Sequence, residues 1–151
     1  MTQKDLELII ADINVEYRKQ QHQATKEFYD RRDSVMAEAE QARKEHIEKF
    51  ESNMSRQKEL EAELAEKRRY GIASYSVEFQ TIKQQLDEVG ASNMELKEQR
   101  RERESALKAT LRELHRDYED GCIKRRIHFA EKKNEATRRY NEEKAQAEVN
   151  A

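Results

Sequence analysis

The chain has 151 residues and a formal net charge of −2, with 30 Lys and Arg set against 32 Asp and Glu. It has no proline and only three glycines, while Ala, Glu, Lys, Leu and Arg make up 80 of its residues. That composition belongs to long helices and coiled coils; it excludes Rossmann, TIM-barrel and sandwich domains, which need glycine-rich turns and apolar strands.

Leu, Ile, Val and Phe total 26 residues, too few for an ordinary globular core. Disorder is the competing reading, but it goes with large net charge and an absence of periodicity. Here acids stand four residues before bases at Glu27–Arg31, Glu40–Lys44, Glu45–Lys49, Glu63–Lys67, Glu104–Lys108, Asp120–Lys124 and Glu135–Arg139. Each such pair supports a helix by roughly 0.2–0.5 kcal/mol.

The first predicted element is a helix from about Lys4 to Arg69, which at 1.5 Å per residue would span about 100 Å. Its opening thirty residues are charged throughout and lack the apolar run of a signal peptide. No stretch of the chain reaches the roughly 18 apolar residues of a membrane span. The expectation is a soluble intracellular protein, or one packaged in a particle assembled inside a cell. Leu6, Tyr17, Phe28, Ala39 and Phe50 recur every eleven residues, a spacing of about 3.67 per turn that keeps a column nearly straight with slight right-handed drift.

The basic run Lys67-Arg68-Arg69 followed by Gly71 reads as a helix stop, and Ser74 or Ser76 can cap a new start. A turn is therefore expected at 70–75. The second arm runs from about 76 to 149, with an interruption expected at 89–92. There Gly90 suits a helix end, and Ser92 and Glu95 have capping-box spacing. On this reading residues 76–92 form a short third helix or contain a kink. Gly121 has no turn signals around it and is tolerated within a helix. Leu96, Leu107, Tyr118, Phe129 and Tyr140 repeat the eleven-residue column.

Two matching columns predict an all-α fold, a single domain over 1–151 built as a long antiparallel two-helix coiled-coil hairpin. With the reversal at Gly71–Tyr75, facing residue numbers sum to about 146. Phe50 then faces Leu96, Phe28 faces Tyr118, Tyr17 faces Phe129 and Leu6 faces Tyr140. A sum of 157 also aligns the columns, with the tip near Glu78 and 76–89 left as a separate cap. The first register is preferred because Phe79, Ile82, Leu86 and Val89 continue the seam.

Leu8, Ile9, Val15, Met36, Ile47, Ile123 and Ile127 fall off that seam. They widen the apolar stripe beyond what one partner helix covers, which implies burial against another copy or another protein. Leu8, Ile9, Val15, Ile47, Ile123 and Ile127 are the candidate partner-binding residues.

No catalytic constellation is present: no phosphate loop, no H-E-x-x-H, no nucleophile elbow. His22, His46, His115 and His128 include no i,i+4 pair, so no metal site is expected. The many carboxylates have no predicted cleft to raise a pKa. Cys122, the one cysteine, excludes an internal disulfide and faces Ala24, as a small buried hydrophobe would. The aromatic columns can be read as a base-stacking platform, but their spacing is that of core.

Charge is polarised along the chain. Residues 123–139 carry Lys124, Arg125, Arg126, Lys132, Lys133, Arg138 and Arg139 against Glu131 and Glu135, a net of +5, whereas residues 36–66 sum to −4. The basic band is either a phosphate footprint or one half of a contact with another copy's acidic stretch. The near-zero total favours the second.

The expected function is that of a non-enzymatic coiled-coil structural protein: a rod-like spacer, scaffold or subunit of a larger complex, with protein partners and no cofactor, small molecule or membrane. One alternative is an adaptor or chaperone-type hairpin. In architecture alone the chain is similar to the hairpin stalk proteins of flagellar-type export machines and to virion scaffolding proteins. The other alternative is a helical nucleic-acid binder using residues 123–139.

Overall fold

The computed structural model describes residues 1–73 and 76–151. Two helices, α1 (Gln3–Arg69) and α2 (Val77–Asn150), make up the fold, and no strand occurs among the described residues. Ser74 and Tyr75, the last part of the expected turn, lie outside the described residues.

Each end of the helices is set by local chemistry. At the start of α1 the Asp5 amide donates to Thr2 Oγ1 (3.2 Å) and the Thr2 amide donates to Asp5 Oδ2 (2.9 Å), a reciprocal cap. The hydrogen bond from the Thr2 amide first, and the nearby Thr2 hydroxyl second, hold the Asp5 carboxyl below its ordinary pKa. At the other end Gly71 has φ of 75°, the Ile72 amide donates to the Lys67 carbonyl (3.0 Å) and the Gly71 amide to the Arg68 carbonyl (3.1 Å). This is a Schellman stop, placed where the basic run and the glycine predicted it. Ser76 opens α2, its hydroxyl accepting from the Phe79 amide at 3.2 Å.

Helix α2 passes through Gly90–Glu95 without the expected interruption or third helix. The reason is visible in what Ser92 does. Its hydroxyl and the Asn93 side-chain oxygen both accept from Asn53 Nδ2 at 3.0 Å, so the residues that resembled a cap join the two arms instead. Gly90 stays helical and exposed, with nothing within 4 Å of where a Cβ would stand.

Opposite outcomes are therefore expected for alanine at two glycines. Gly90→Ala should raise stability by about 1 kcal/mol, because it removes backbone freedom from the unfolded chain without a clash. Gly71→Ala should lower it by about 1–2 kcal/mol, because a Cβ is unfavourable at positive φ. Urea unfolding followed by circular dichroism measures both, and shifts of the same sign would contradict this assignment.

The chain divides into two compact units, one of Met1–Ser34 with Thr110–Ala151, the other of Val35–Ala109. In the first unit Leu6, Phe129 and Ala136 are buried. Tyr17 packs on Phe129 (ring centroids 5.4 Å) and Phe28 stacks on Tyr118 (4.6 Å). In the second unit Leu60, Phe79, Ile82 and Leu96 are buried. There Asn53 meets Asn93, Arg43 meets Glu104, and Lys67 meets Glu78.

In both units these pairs follow the register near 146. The eleven-residue rule holds from Leu6 to Ala39, whose column stays buried or half-buried, but Phe50 is exposed. From Asn53 through Gln57, Leu60, Leu64 and Lys67 the covered positions step by four and three, a seven-residue repeat. Phe79, Ile82, Leu86, Val89, Asn93 and Leu96 answer it from α2.

Candidate protein-interaction surfaces

Most of the off-seam residues stand open to solvent. Leu8 is 60% exposed, Val15 47%, Ile47 52%, Ile123 45% and Ile127 51%. Ile9 departs from the expectation. It is half-buried and lines a groove in the first unit with Ile13, His128, Lys132 and Ala136, which makes it a flank of the seam.

Further exposed apolar residues that were not anticipated include Tyr29, Phe50 and Met94. Tyr29 follows Phe28, and neighbours on a helix point about 100° apart, so only one of them can enter the seam. Phe50 and Met94 line one groove of the second unit, of about 400 Å³, with His46, Ile47 and Lys97. The period change at residue 50 is the signal that would have marked it. One ring nitrogen of His46, Nδ1, is buried there and makes no hydrogen bond.

The basic band is less free than its sequence suggests. Arg138 binds Glu135 and Glu142, each at 2.6 Å, and Arg139 binds Glu135 at 3.2 Å. Hydrogen bonds from Arg138 first, then its charge and Arg139, hold the Glu135 carboxyl below its ordinary pKa. Arg125 is half-buried and donates to Gln21 Oε1 at 3.1 Å. Lys132 lies 5.3 Å over the Phe129 ring. Lys124, Arg126, Lys132 and Lys133 carry no ion pair among the described residues.

Of the sequence-predicted acid–base pairs, Glu135–Arg139 forms as drawn. Glu104 turns across the hairpin to Arg43, Lys67 turns to Glu78, and Glu40 meets Arg43 rather than Lys44. The Arg43–Glu104 pair is two-pronged, at 3.0 and 3.2 Å.

The hydrogen bond from Arg43 holds Glu104 below the ordinary 4.5. A depressed carboxylate contributes stability above its unfolded pKa and loses it as pH falls through the folded value. Wild type should therefore melt slightly higher than Glu104→Gln at neutral pH, with the gap closing well below 4.5. A gap that persisted in acid would show that the charge is not its source.

Cys122 does not meet an apolar wall beside Ala24. Its half-buried sulfur accepts from Gln21 Nε2 (3.2 Å) and Arg125 Nη2 (3.5 Å), and Gln21 also donates to the Tyr118 hydroxyl (3.2 Å). Thr25 joins the same cluster at 2.8 Å from Tyr118. Partial burial pushes the thiol pKa up, but hydrogen bonds from Gln21, Tyr118 and Arg125 outweigh it and leave the thiol below its ordinary value.

Among the described residues no group of three or more His, Cys, Asp or Glu is placed to hold a metal ion, and no helix is long and apolar enough to cross a membrane. No protein-family model, curated protein or solved structure matches the chain.

Proposed function

We propose that the protein is a non-enzymatic coiled-coil assembly subunit, a scaffold or spacer that associates with further copies of itself inside the cell or in a particle built there. The observation that carries this reading is the set of exposed apolar side chains outside the seam, Leu8, Val15, Ile47, Ile123 and Ile127. Isolated exposed apolar residues are ordinary on a protein surface. Here the two arms already cover one another, yet large aliphatic groups remain on helix faces that otherwise carry charge, and burying the exposed half of each would release roughly 1 kcal/mol. The partial neutralisation of the basic band by Glu135 and Glu142 supports a protein partner over a phosphate backbone.

Sedimentation velocity over a range of concentrations tests the reading. Wild type should form a discrete oligomer or grow with concentration. Single changes of Leu8, Ile9, Val15, Ile47, Ile123 or Ile127 to Glu should shift the distribution toward smaller species, least for half-buried Ile9. If all six variants keep the wild-type mass, the assembly reading fails. A wild type that stays monomeric throughout would assign these side chains to a different protein, as in the adaptor alternative.

A further inference from the structure

One groove of the second unit gathers exposed apolar groups and positive charge in the same place. It measures about 400 Å³ and is lined by half-buried His46 with Ile47 and Phe50 from α1, and by Met94, Lys97 and Arg100 from α2. Ile47 is 52% exposed, Phe50 42% and Met94 75%. Single exposed apolar residues are ordinary, but three large ones opening into one groove form a continuous patch. Aromatic rings, Met and Arg are also the side chains that protein interfaces favour, and the flexible Met thioether adapts to what it covers.

The charge of this groove has one sign. No carboxylate lines it, and Lys97 and Arg100 make no ion pair among the described residues. Glu104, which feels the Arg100 charge, is already held by Arg43 at 3.0 Å. Asn93, also in the lining, is engaged by Asn53. That leaves His46 Nδ1, buried and without a hydrogen bond, an arrangement that costs stability until a partner arrives. A neutral imidazole with its proton on Nδ1 donates to a carboxylate. Two unpaired cations and this nitrogen therefore ask for the same ligand: an anion carried next to an apolar group.

A second copy is a poor source of it. Two such grooves set face to face would bring Lys97 and Arg100 of both copies together. The exposed aliphatic residues elsewhere on the chain, Leu8, Val15, Ile123 and Ile127, each have a base three or four positions away, Lys4, Lys19, Arg126 and Lys124 in turn. Those bases would meet the same cations, and like charges brought together across a contact oppose it.

We infer that this groove binds an acidic amphipathic segment of a different protein. The segment sets a large apolar side chain on Phe50 and Met94 and its carboxylates against Lys97, Arg100 and His46 Nδ1. This binding does not depend on the assembly function above. The two meet only at Ile47, which belongs to both surfaces, so an occupied groove excludes a neighbouring copy from that residue.

A fluorescein-labelled amphipathic peptide of Leu and Glu is the probe, its counterpart with Lys in place of Glu is the control, and fluorescence anisotropy is the readout. Wild type should bind the Glu peptide and not the Lys peptide, more weakly as salt rises. The double variant Lys97→Glu, Arg100→Glu should reverse that preference. Phe50→Ala with Met94→Ala should weaken the Glu peptide by about tenfold, or about 1.4 kcal/mol, with wild-type helicity by circular dichroism. The Nδ1 nitrogen resonance of His46 should move when the Glu peptide is added.

Equal binding of the two peptides, no binding of either, or a charge-reversed variant that keeps wild-type affinity for the Glu peptide would overturn the proposal. If the Lys97 and Arg100 changes instead abolished self-association in sedimentation velocity and left peptide binding untouched, the groove would belong to a second copy and the proposal would be wrong. A wild type monomeric at every concentration that still binds the Glu peptide would overturn the assembly reading and support this one.

Discussion

Phe129→Ala is expected to lower stability by about 3 kcal/mol, the lower end of the range for removing a buried aromatic ring. Phe129 is 2% exposed, the most covered large side chain of its unit. Its ring meets Tyr17 at 5.4 Å and His128 at 5.1 Å, and Lys132 covers it at 5.3 Å. Truncation removes the ring's transfer free energy and the aromatic pairing together. The lower end applies because a seam between two helices is close to solvent, and water or a shifted Tyr17 can occupy part of the space. Urea unfolding should show a lower midpoint with the slope nearly unchanged. A loss under 1 kcal/mol would mean that Phe129 is not a principal contact of its unit.

Leu60→Ala should follow closely, at about 2–3 kcal/mol. Leu60 has no exposed surface at all, in a unit where Phe79, Ile82 and Leu96 are the other buried apolar residues. With so few, each carries a large share of the burial. Leu60→Met, which conserves volume, should lose under about 1.5 kcal/mol and so separates packing from helix propensity. If Ala and Met variants lost equal stability, cavity formation would not be the cause.

Much of this architecture was legible because helices announce themselves by period and punctuation. Lys67-Arg68-Arg69 with Gly71 marked the stop, Ser76 marked the restart, and the columns through Tyr17 and Phe129 marked the faces. Gly90 and Ser92 misled because the same side chain can cap a helix end or bond across to a neighbouring helix. That choice depends on Asn53, thirty-nine residues away from Ser92 in sequence. Thr2 and Asp5 were missed although their spacing follows the capping box, with Asp in the usual Glu position.

The acid–base pairs were rewired because a long helix offers each charge several partners of similar energy, and an i,i+4 rule sees only one helix. Apolar spacing favoured the first register only through Phe79, Ile82, Leu86 and Val89, since a slip of eleven leaves the long columns aligned. The polar contacts do separate them. In the slipped register Gln21 would face Ala136 and Arg43 would face Leu114, so the bonds to Tyr118, Cys122, Arg125 and Glu104 would all be lost. Of the candidate surface, the exposure of Leu8, Val15, Ile47, Ile123 and Ile127 was foreseeable from the seam.

The sequence separations of the cross-hairpin bonds order the folding reaction. Lys67 and Glu78 are 11 residues apart, Asn53 and Asn93 are 40, Arg43 and Glu104 are 61, and Gln21 and Arg125 are 104. Closing the shortest loop has the smallest entropic cost, and each contact formed shortens the effective loop for the next. Pairing should therefore start beside Gly71 and advance toward the termini as a zipper. Substitutions near Lys67 and Phe79 would then slow folding, whereas those near Leu6 and Ala136 would mainly hasten unfolding. A newly made chain would hold its first arm unpaired until the turn had been synthesised.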